Sequence, residues 1–305
     1  MEPSAEPSAA GDLVVRTQGL TKTYGSRTAL SGIDIVVAKG TVYGLVGPNG
    51  AGKTTLLGIL SGLRRPTAGT VDIGVPRSKV AVLADTPAFE PWLTAREVVD
   101  LARTLVAPET PGHRVDDVLA EAGLAQVADV RVGGFSRGML QRLGLAATVV
   151  GDPELLLLDE PSSALDPEGR RDVLDLVARL GRRASVLFSS HILDDVQRVC
   201  RDVGVLHEGR LLFQGPLDDL LTRRLSPTYV VRLRPPVEPA LALLRAESWV
   251  REVTDRGAGD LRVLVTSMEE AEHRLPAALA RAGVRVIGFE PLTHDLESAF
   301  LELVR

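Results

Sequence analysis

The order of elements along the chain predicts an α/β protein built on a parallel sheet, followed by a smaller α+β unit. Three observations carry this expectation. Leu155–Leu158 and Ser185–Phe188 are continuous apolar runs, as strands buried on both faces require, and the Pro167–Leu180 segment between them places Val173, Leu174, Leu176, Val177 and Leu180 at helical spacing. A glycine-rich stretch directly follows the apolar run Val42, Tyr43, Leu45, Val46, which is the strand-to-helix setting of a parallel α/β core. After Leu225 the pattern changes to strand, helix, strand, strand, helix, strand, the order of a small ferredoxin-like unit.

Residues 1–11, rich in Pro, Ala, Ser and Glu, read as a disordered tail without the basic start and apolar centre of a signal peptide. Val14 to Leu20 and Ile33 to Val37 read as strands, the second alternating Ile33, Ile35, Val37 against Asp34 and Val36. Gly40 turns the chain into the strand before the glycine-rich loop. A helix is expected from Lys53 to about Leu63, ended by Gly62 and Pro66. A strand at Lys79–Leu83 leads into Thr94–Arg137, a stretch of helical periodicity, so residues of about 88–140 form a helical subdomain within a first domain spanning 12–225. In the second domain, 226–305, strands are expected at Tyr229–Leu233, Trp249–Val253, Leu261–Val265 and Val284–Phe289, with helices at about Pro239–Glu247 and Glu269–Ala282.

Composition excludes several function classes. The chain has 305 residues, net charge −5, and 31 arginines beside only four lysines (Lys22, Lys39, Lys53, Lys79), without a long basic block. Ser226–Arg305 carries 10 arginines, no lysine and 12 acidic residues, so no basic surface for nucleic acid is expected. No apolar run approaches the roughly 18 to 20 residues of a membrane span, so membrane contact must come through a partner. The single cysteine, Cys200, rules out a disulfide within the chain and fits a reducing, cytoplasmic compartment; beside Val196 and Val199 it reads as core filler.

The stretch Gly47-Pro-Asn49-Gly50-Ala-Gly52-Lys53-Thr54 matches G-x-x-x-x-G-K-[ST]. Gly47, Gly50 and Gly52 let the backbone turn its N–H groups into one concavity, a nest for phosphates. Lys53 is expected to reach the outer phosphates, and the Thr54 hydroxyl to bind the accompanying Mg²⁺. The positive end of the following helix adds to the same pocket. The chain is therefore expected to bind a nucleoside triphosphate. Asp159 and Glu160 end the run Leu155–Leu158, at the edge of the sheet where phosphates bind. Asp159 is placed to hold Mg²⁺, largely through water, and Glu160 to polarise an attacking water.

Upstream of that strand lies Gly133-Gly-Phe135-Ser136-Arg137-Gly138-Met139-Leu-Gln-Arg142. Here the chain resembles the ATP-binding proteins of ABC transporters, whose signature is Leu-Ser-Gly-Gly-Gln before a helix. The resemblance implies a P-loop NTPase of ABC type, with antiparallel β and α-helical subdomains beside the parallel core. It implies that Ser136 and Gly138 contact phosphates of ATP bound to a second copy, the two nucleotides lying between Gly47–Thr55 of one subunit and Ser136–Met139 of the other. It also places Asp166, in Ser163-Ala-Leu-Asp166, in a loop communicating between subunits, His191 on the terminal phosphate, and Tyr24, in Lys22-Thr-Tyr24-Gly25, on the adenine. Together with Thr55, these residues complete the expected nucleotide site, and Glu160, His191 and Lys53 its catalytic groups.

Pro87–Glu97, the Gly-Met-Leu-Gln-Arg run and the ending Asp295–Leu301 resemble the export ATPases of the daunorubicin- and bacitracin-resistance type. Those imply a homodimer on a polytopic ABC-2-type permease, peripheral on the inner face of the cell membrane, with ATP and Mg²⁺ as cofactors. The competing expectation is a soluble ABC-type ATPase acting on ribosomes, DNA or another complex. Two positions depart from the family pattern. Asp85 stands where a Gln that touches Mg²⁺ is usual, and so is a third candidate metal ligand; Arg137 replaces a glycine of the signature and is expected to face solvent.

Overall fold

The computed structural model describes residues 12–163, 165–223, 227–291 and Leu303. The expected tail at 1–11, the Leu225–Ser226 junction and the Asp295–Leu301 ending lie outside the described residues. The chain divides into two compact units, Met1–Leu217 and Asp218–Arg305.

In the first unit β1 (Leu13–Tyr24), β2 (Arg27–Ile33), β3 (Val36–Ala38) and β5 (Ala68–Ile73) form an antiparallel sheet in which β1 pairs with the other three; β4 (Val42–Val46) and α1 (Lys53–Leu60) lie between them in sequence. The expected single strand Ile33–Val37 is therefore two strands. The Thr17 hydroxyl donates to the Ile33 carbonyl at 2.8 Å and accepts from the Ile35 N–H at 2.9 Å, and Asp34 turns out to accept from the Gly19 N–H at 2.5 Å. These side-chain bonds replace ladder bonds and break the pairing, while Ile33, Ile35 and Val37 keep the alternating burial that the pattern predicts. α1 stops at Leu60, short of the expected Leu63, because Gly62 takes φ +82° and turns the chain out of the helix.

The remaining elements of this unit are β6 (Val80–Leu83), α2 (Ala95–Val106), α3 (Arg114–Glu121), α4 (Arg137–Val149), β7 (Leu155–Asp159), α5 (Pro167–Leu180), β8 (Ser185–Ser190), α6 (Leu193–Val199), β9 (Asp202–His207), β10 (Arg210–Pro216) and α7 (Leu217–Arg223), the last running across the boundary between units. A six-stranded sheet has the order β10-β9-β4-β8-β7-β6, parallel except for β10 against β9. β7 and β8 are buried at every residue, which explains their unbroken apolar character. The helical stretch is α2, α3 and α4, and it continues nine residues beyond the expected limit of about 140, to Val149. Capping fixes where these helices begin: Thr94 and Glu97 form a reciprocal capping box on α2, Ser136 accepts from the Met139 N–H on α4, and Asp166 from the Gly169 N–H on α5. The core packs Leu20, Ile33 and Ile35 of the antiparallel layer against Leu56 and Leu60 of α1 and Leu45 and Leu157 of the parallel sheet. Cys200, just past α6, is buried, and burial together with Asp202 holds its thiol well above the usual range, as an inert core residue requires.

The second unit holds β11 (Thr228–Arg234), α8 (Glu238–Ala246), β12 (Val250–Asp255), β13 (Asp260–Val265), α9 (Met268–Arg281) and β14 (Arg285–Pro291). Its sheet order β12-β13-β11-β14, antiparallel throughout, is the ferredoxin-like arrangement that the βαββαβ pattern predicts. Tyr229, Val231 and Leu233 of β11 pack with Leu244 of α8 and Leu275 of α9. Trp249 is the largest fully buried side chain and donates its indole N–H to Glu247 at 2.8 Å. Trp249→Ala removes both the ring and its anchor, so denaturant titration followed on this unit is expected to show a loss of about 3–5 kcal/mol. A loss within experimental error of zero would show that the ring does not organise this core.

Candidate nucleotide site

β4 ends at Val46 and α1 begins at Lys53, and the six residues between form a cradle with no room for a side chain at two of its glycines. A Cβ on Gly47 would stand 2.1 Å from the Leu206 carbonyl oxygen, and one on Gly52, at φ +112°, would stand 2.7 Å from that of Ala29. Gly50 also has positive φ, +84°. The cradle opens into a cavity of about 470 Å³ lined by Asn49, Gly50, Gly52, Lys53, Thr54 and Thr55, and also by Tyr24, Arg27, Asp85 and Glu160. Residues from four separated stretches thus converge on one space. The dimensions and the donor set, backbone N–H groups and a lysine at a helix N-terminus, suit a triphosphate.

Lys53 is the centre of this geometry. Its ammonium is buried and donates to the Gly47 carbonyl at 2.7 Å and the Pro48 carbonyl at 3.3 Å, and it pairs with Glu160 Oε1 at 3.0 Å. The second oxygen, Glu160 Oε2, lies 2.7 Å from His191 Nδ1 and accepts from the His191 backbone N–H at 3.3 Å. Glu160 therefore bridges Lys53 and His191. It holds this pose at φ +47°, a left-handed backbone that a non-glycine residue adopts only where its surroundings enforce it. The enforcing contact is Ser189, at the end of β8. Its hydroxyl accepts from the Glu160 N–H at 3.0 Å and donates to Asp159 Oδ1 at 2.6 Å, so one buried serine fixes both carboxylate residues. The next turn is tied down by Asp195, which is buried and accepts from Ser162 and from Arg170.

The sequence-predicted residues fall into two groups. Tyr24, Asn49, Gly50, Gly52, Lys53, Thr54, Thr55, Asp85 and Glu160 line the cavity; Gly47, Asp159 and His191 adjoin it through Lys53, Ser189 and Glu160. Asp85 accepts from the Ser163 hydroxyl at 2.7 Å while lining the cavity. Ser136, Gly138 and Asp166 do not line it: Ser136 caps α4 and Asp166 caps α5. Arg137 is exposed, as expected. Arg27 and Ser189 were not singled out from sequence. Arg27 is the residue facing Tyr24 across the β1–β2 turn, which is the one signal that would have pointed to it.

With this geometry in view, comparison with known proteins is direct. Residues 30–163 match the ABC transporter family. The chain is 34% identical over 306 residues to the daunorubicin resistance ATP-binding protein DrrA3 of Streptomyces coeruleorubidus, covering 96% of each chain. It is 32% identical over 302 residues to the bacitracin transport ATP-binding protein BcrA of Bacillus licheniformis, covering 95% of this chain and 97% of that one. Among solved structures, the ATP-binding subunit of an ABC transporter superposes with a TM-score of 0.62 at 28% identity, over 69% of this chain and 92% of that one. A cradle for a triphosphate, a bridging glutamate and kinship along nearly the whole length lead to one conclusion: this chain belongs to the ATP-binding proteins of ABC transporters and is an ATPase.

Proposed function

We propose that the chain is the ATP-hydrolysing subunit of an exporter, working as two copies on a separate membrane subunit of the ABC-2 type. The observation that carries the reading is Glu160 held between Lys53 and His191 at the mouth of the cradle. Outer phosphates arriving in the cradle compete with Glu160 for the Lys53 ammonium. Once Oε1 is released, it becomes an acceptor for a water, while His191 continues to orient Oε2. Thr54 and Asp159 would hold Mg²⁺, with Asp85 facing the same cavity from the loop after β6; the ion would supply positive charge to the phosphates. The protein's own contribution is positioning and electrostatic stabilisation by Lys53, the cradle N–H groups and His191, and Tyr24 would stack on adenine.

The two-copy arrangement is supported by what the cavity lacks. Ser136 and Gly138 stand at the N-terminus of α4 and do not line the chain's own phosphate cradle, which supports a role for them on the nucleotide of another subunit. A membrane partner is supported by a groove of about 620 Å³ along β6 and the helical subdomain, lined by Val82, Ala84, Phe89, Leu105, Val106 and Ala147. Leu105 and Val106 are 74% and 60% exposed, an apolar patch suited to a helix from another chain. Because the groove begins at the loop carrying Asp85, movement there reaches the nucleotide cavity. No described helix is long and apolar enough to cross a membrane; in this reading the partner supplies the path for the solute and holds this chain peripherally at the inner face of the membrane. Export is supported by the names of BcrA and DrrA3, which the chain matches along almost its whole length.

Two experiments test this reading. Gly47→Ala drives a Cβ into the Leu206 carbonyl; calorimetry is expected to show ATP affinity reduced at least about tenfold with the fold retained, whereas wild-type affinity would remove the cradle from the site. Tagged Glu160→Gln, which is expected to lose hydrolysis, is captured with ATP from gently solubilised membranes of its own host. A co-purifying polytopic membrane protein is the expected result. Ribosomes, nucleic acid or only soluble partners, from a preparation that still binds ATP, would replace the transporter reading with that of a soluble ABC-type ATPase.

A further inference from the structure

We propose that Lys22 and Arg64 are positioning residues for the nucleotide base, fixing Tyr24 as a platform with one open face. The inference rests on the reading of Tyr24 as the base-stacking residue. Tyr24 ends β1 and pairs with Arg27 across the two-residue turn Gly25-Ser26, with Gly25 at φ +58°. Its ring is 43% exposed, and an exposed tyrosine at a hairpin tip is free to change rotamer unless something holds it. Two cations hold this one. The Lys22 ammonium lies 4.9 Å from the ring centroid, over the ring, and is itself anchored by donating to the Arg65 carbonyl at 2.8 Å. The Arg64 guanidinium donates to the Tyr24 hydroxyl at 2.9 Å, while the Arg64 backbone N–H is bound to the Gly58 carbonyl at 2.8 Å.

Tyr24 lines the nucleotide cavity, whereas neither Lys22 nor Arg64 does. The ammonium covers one face of the ring; in the proposal the base stacks on the other, uncovered face. A base approaching the covered face would have to displace an ammonium attracted to the ring and bound to a carbonyl. A base entering from the cavity meets a ring already held in place, so less conformational freedom is lost on stacking. Lys22 and Arg64 come from different segments, β1 and the turn after α1, and that turn also closes the helix that begins at the phosphate cradle. The base platform and the phosphate cradle are in this way carried by the same helix.

The test separates base from phosphate. Affinities of the full-length chain for ATP and for inorganic triphosphate are measured by calorimetry in wild type, Lys22→Met, Lys22→Arg and Arg64→Met, and for Lys22→Met in a Tyr24→Ala background. Methionine keeps the aliphatic stem and removes the charge. Lys22→Met and Arg64→Met are expected to weaken ATP about two- to fivefold and to leave triphosphate unchanged. Lys22→Arg should restore ATP affinity, and Lys22→Met should add nothing once Tyr24 is alanine. In steady-state hydrolysis the KM for ATP rises while kcat stays. Unchanged ATP affinity in Lys22→Met, equal weakening of triphosphate, or a loss that persists without Tyr24 would overturn the proposal. The single variant Tyr24→Ala, if it kept wild-type ATP affinity, would instead overturn the base-stacking reading on which it rests.

Discussion

The Lys53 ammonium is almost fully buried, and a buried cation is costly unless oxygens surround it. Three do: the carbonyls of Gly47 and Pro48 and the carboxylate of Glu160. Two of these are fixed parts of the cradle. The third belongs to a different strand and can be exchanged for another anion. Much of the surrounding architecture follows from satisfying this one charge. The cradle must curl back on Lys53, so a glycine stands at Gly47 against the Leu206 carbonyl. Glu160 must reach across from the end of β7, so its backbone is left-handed and Ser189 holds it there. His191 then takes up the second carboxylate oxygen.

In the proposed two-copy arrangement this is half of a nucleotide site. It holds the cradle, the proposed base platform Tyr24 and the carboxylates, whereas Ser136, at the N-terminus of α4, does not line the cavity. The same logic of incompleteness runs outward. The helical subdomain presents an apolar groove that the described residues leave open, and the loop carrying Asp85 joins that groove to the cavity. Lys53 is linked to these surfaces through Glu160, Ser163 and Asp85, and along α1 to Arg64 and Tyr24.

Much of this was legible in the sequence, for identifiable reasons. The unbroken apolar run Leu155–Leu158 suits a strand buried on both faces, and α5 was readable to its end residues because its apolar spacing is regular and Asp166-Pro167 marks its start. The phosphate cradle was legible because so few residue types can make its turn. β5 was missed because it is an edge strand whose residues are all at least partly exposed, so no alternation records its pairing with β1. The pair β9 and β10 was missed although β9 is well buried, since its run Val203–Leu206 is interrupted by Gly204, which sits against the Tyr43 hydroxyl. The break after Ile33 depends on the Thr17 hydroxyl, a contact between residues 16 and 18 positions apart. In the site, Ser189 escaped notice for the same reason: its role exists only where β7 and β8 lie side by side.

In the proposed mechanism, exchange of Glu160 for phosphate on Lys53 leaves a half-site that a second copy completes. Sedimentation velocity of Glu160→Gln with and without ATP, alongside Glu160→Gln combined with Ser136→Arg, tests it most directly. The expected result is a monomer that becomes a dimer only with ATP, and a doubly substituted chain that binds ATP yet stays monomeric. A dimer indifferent to ATP or to Ser136, or a monomer under every condition, would contradict it.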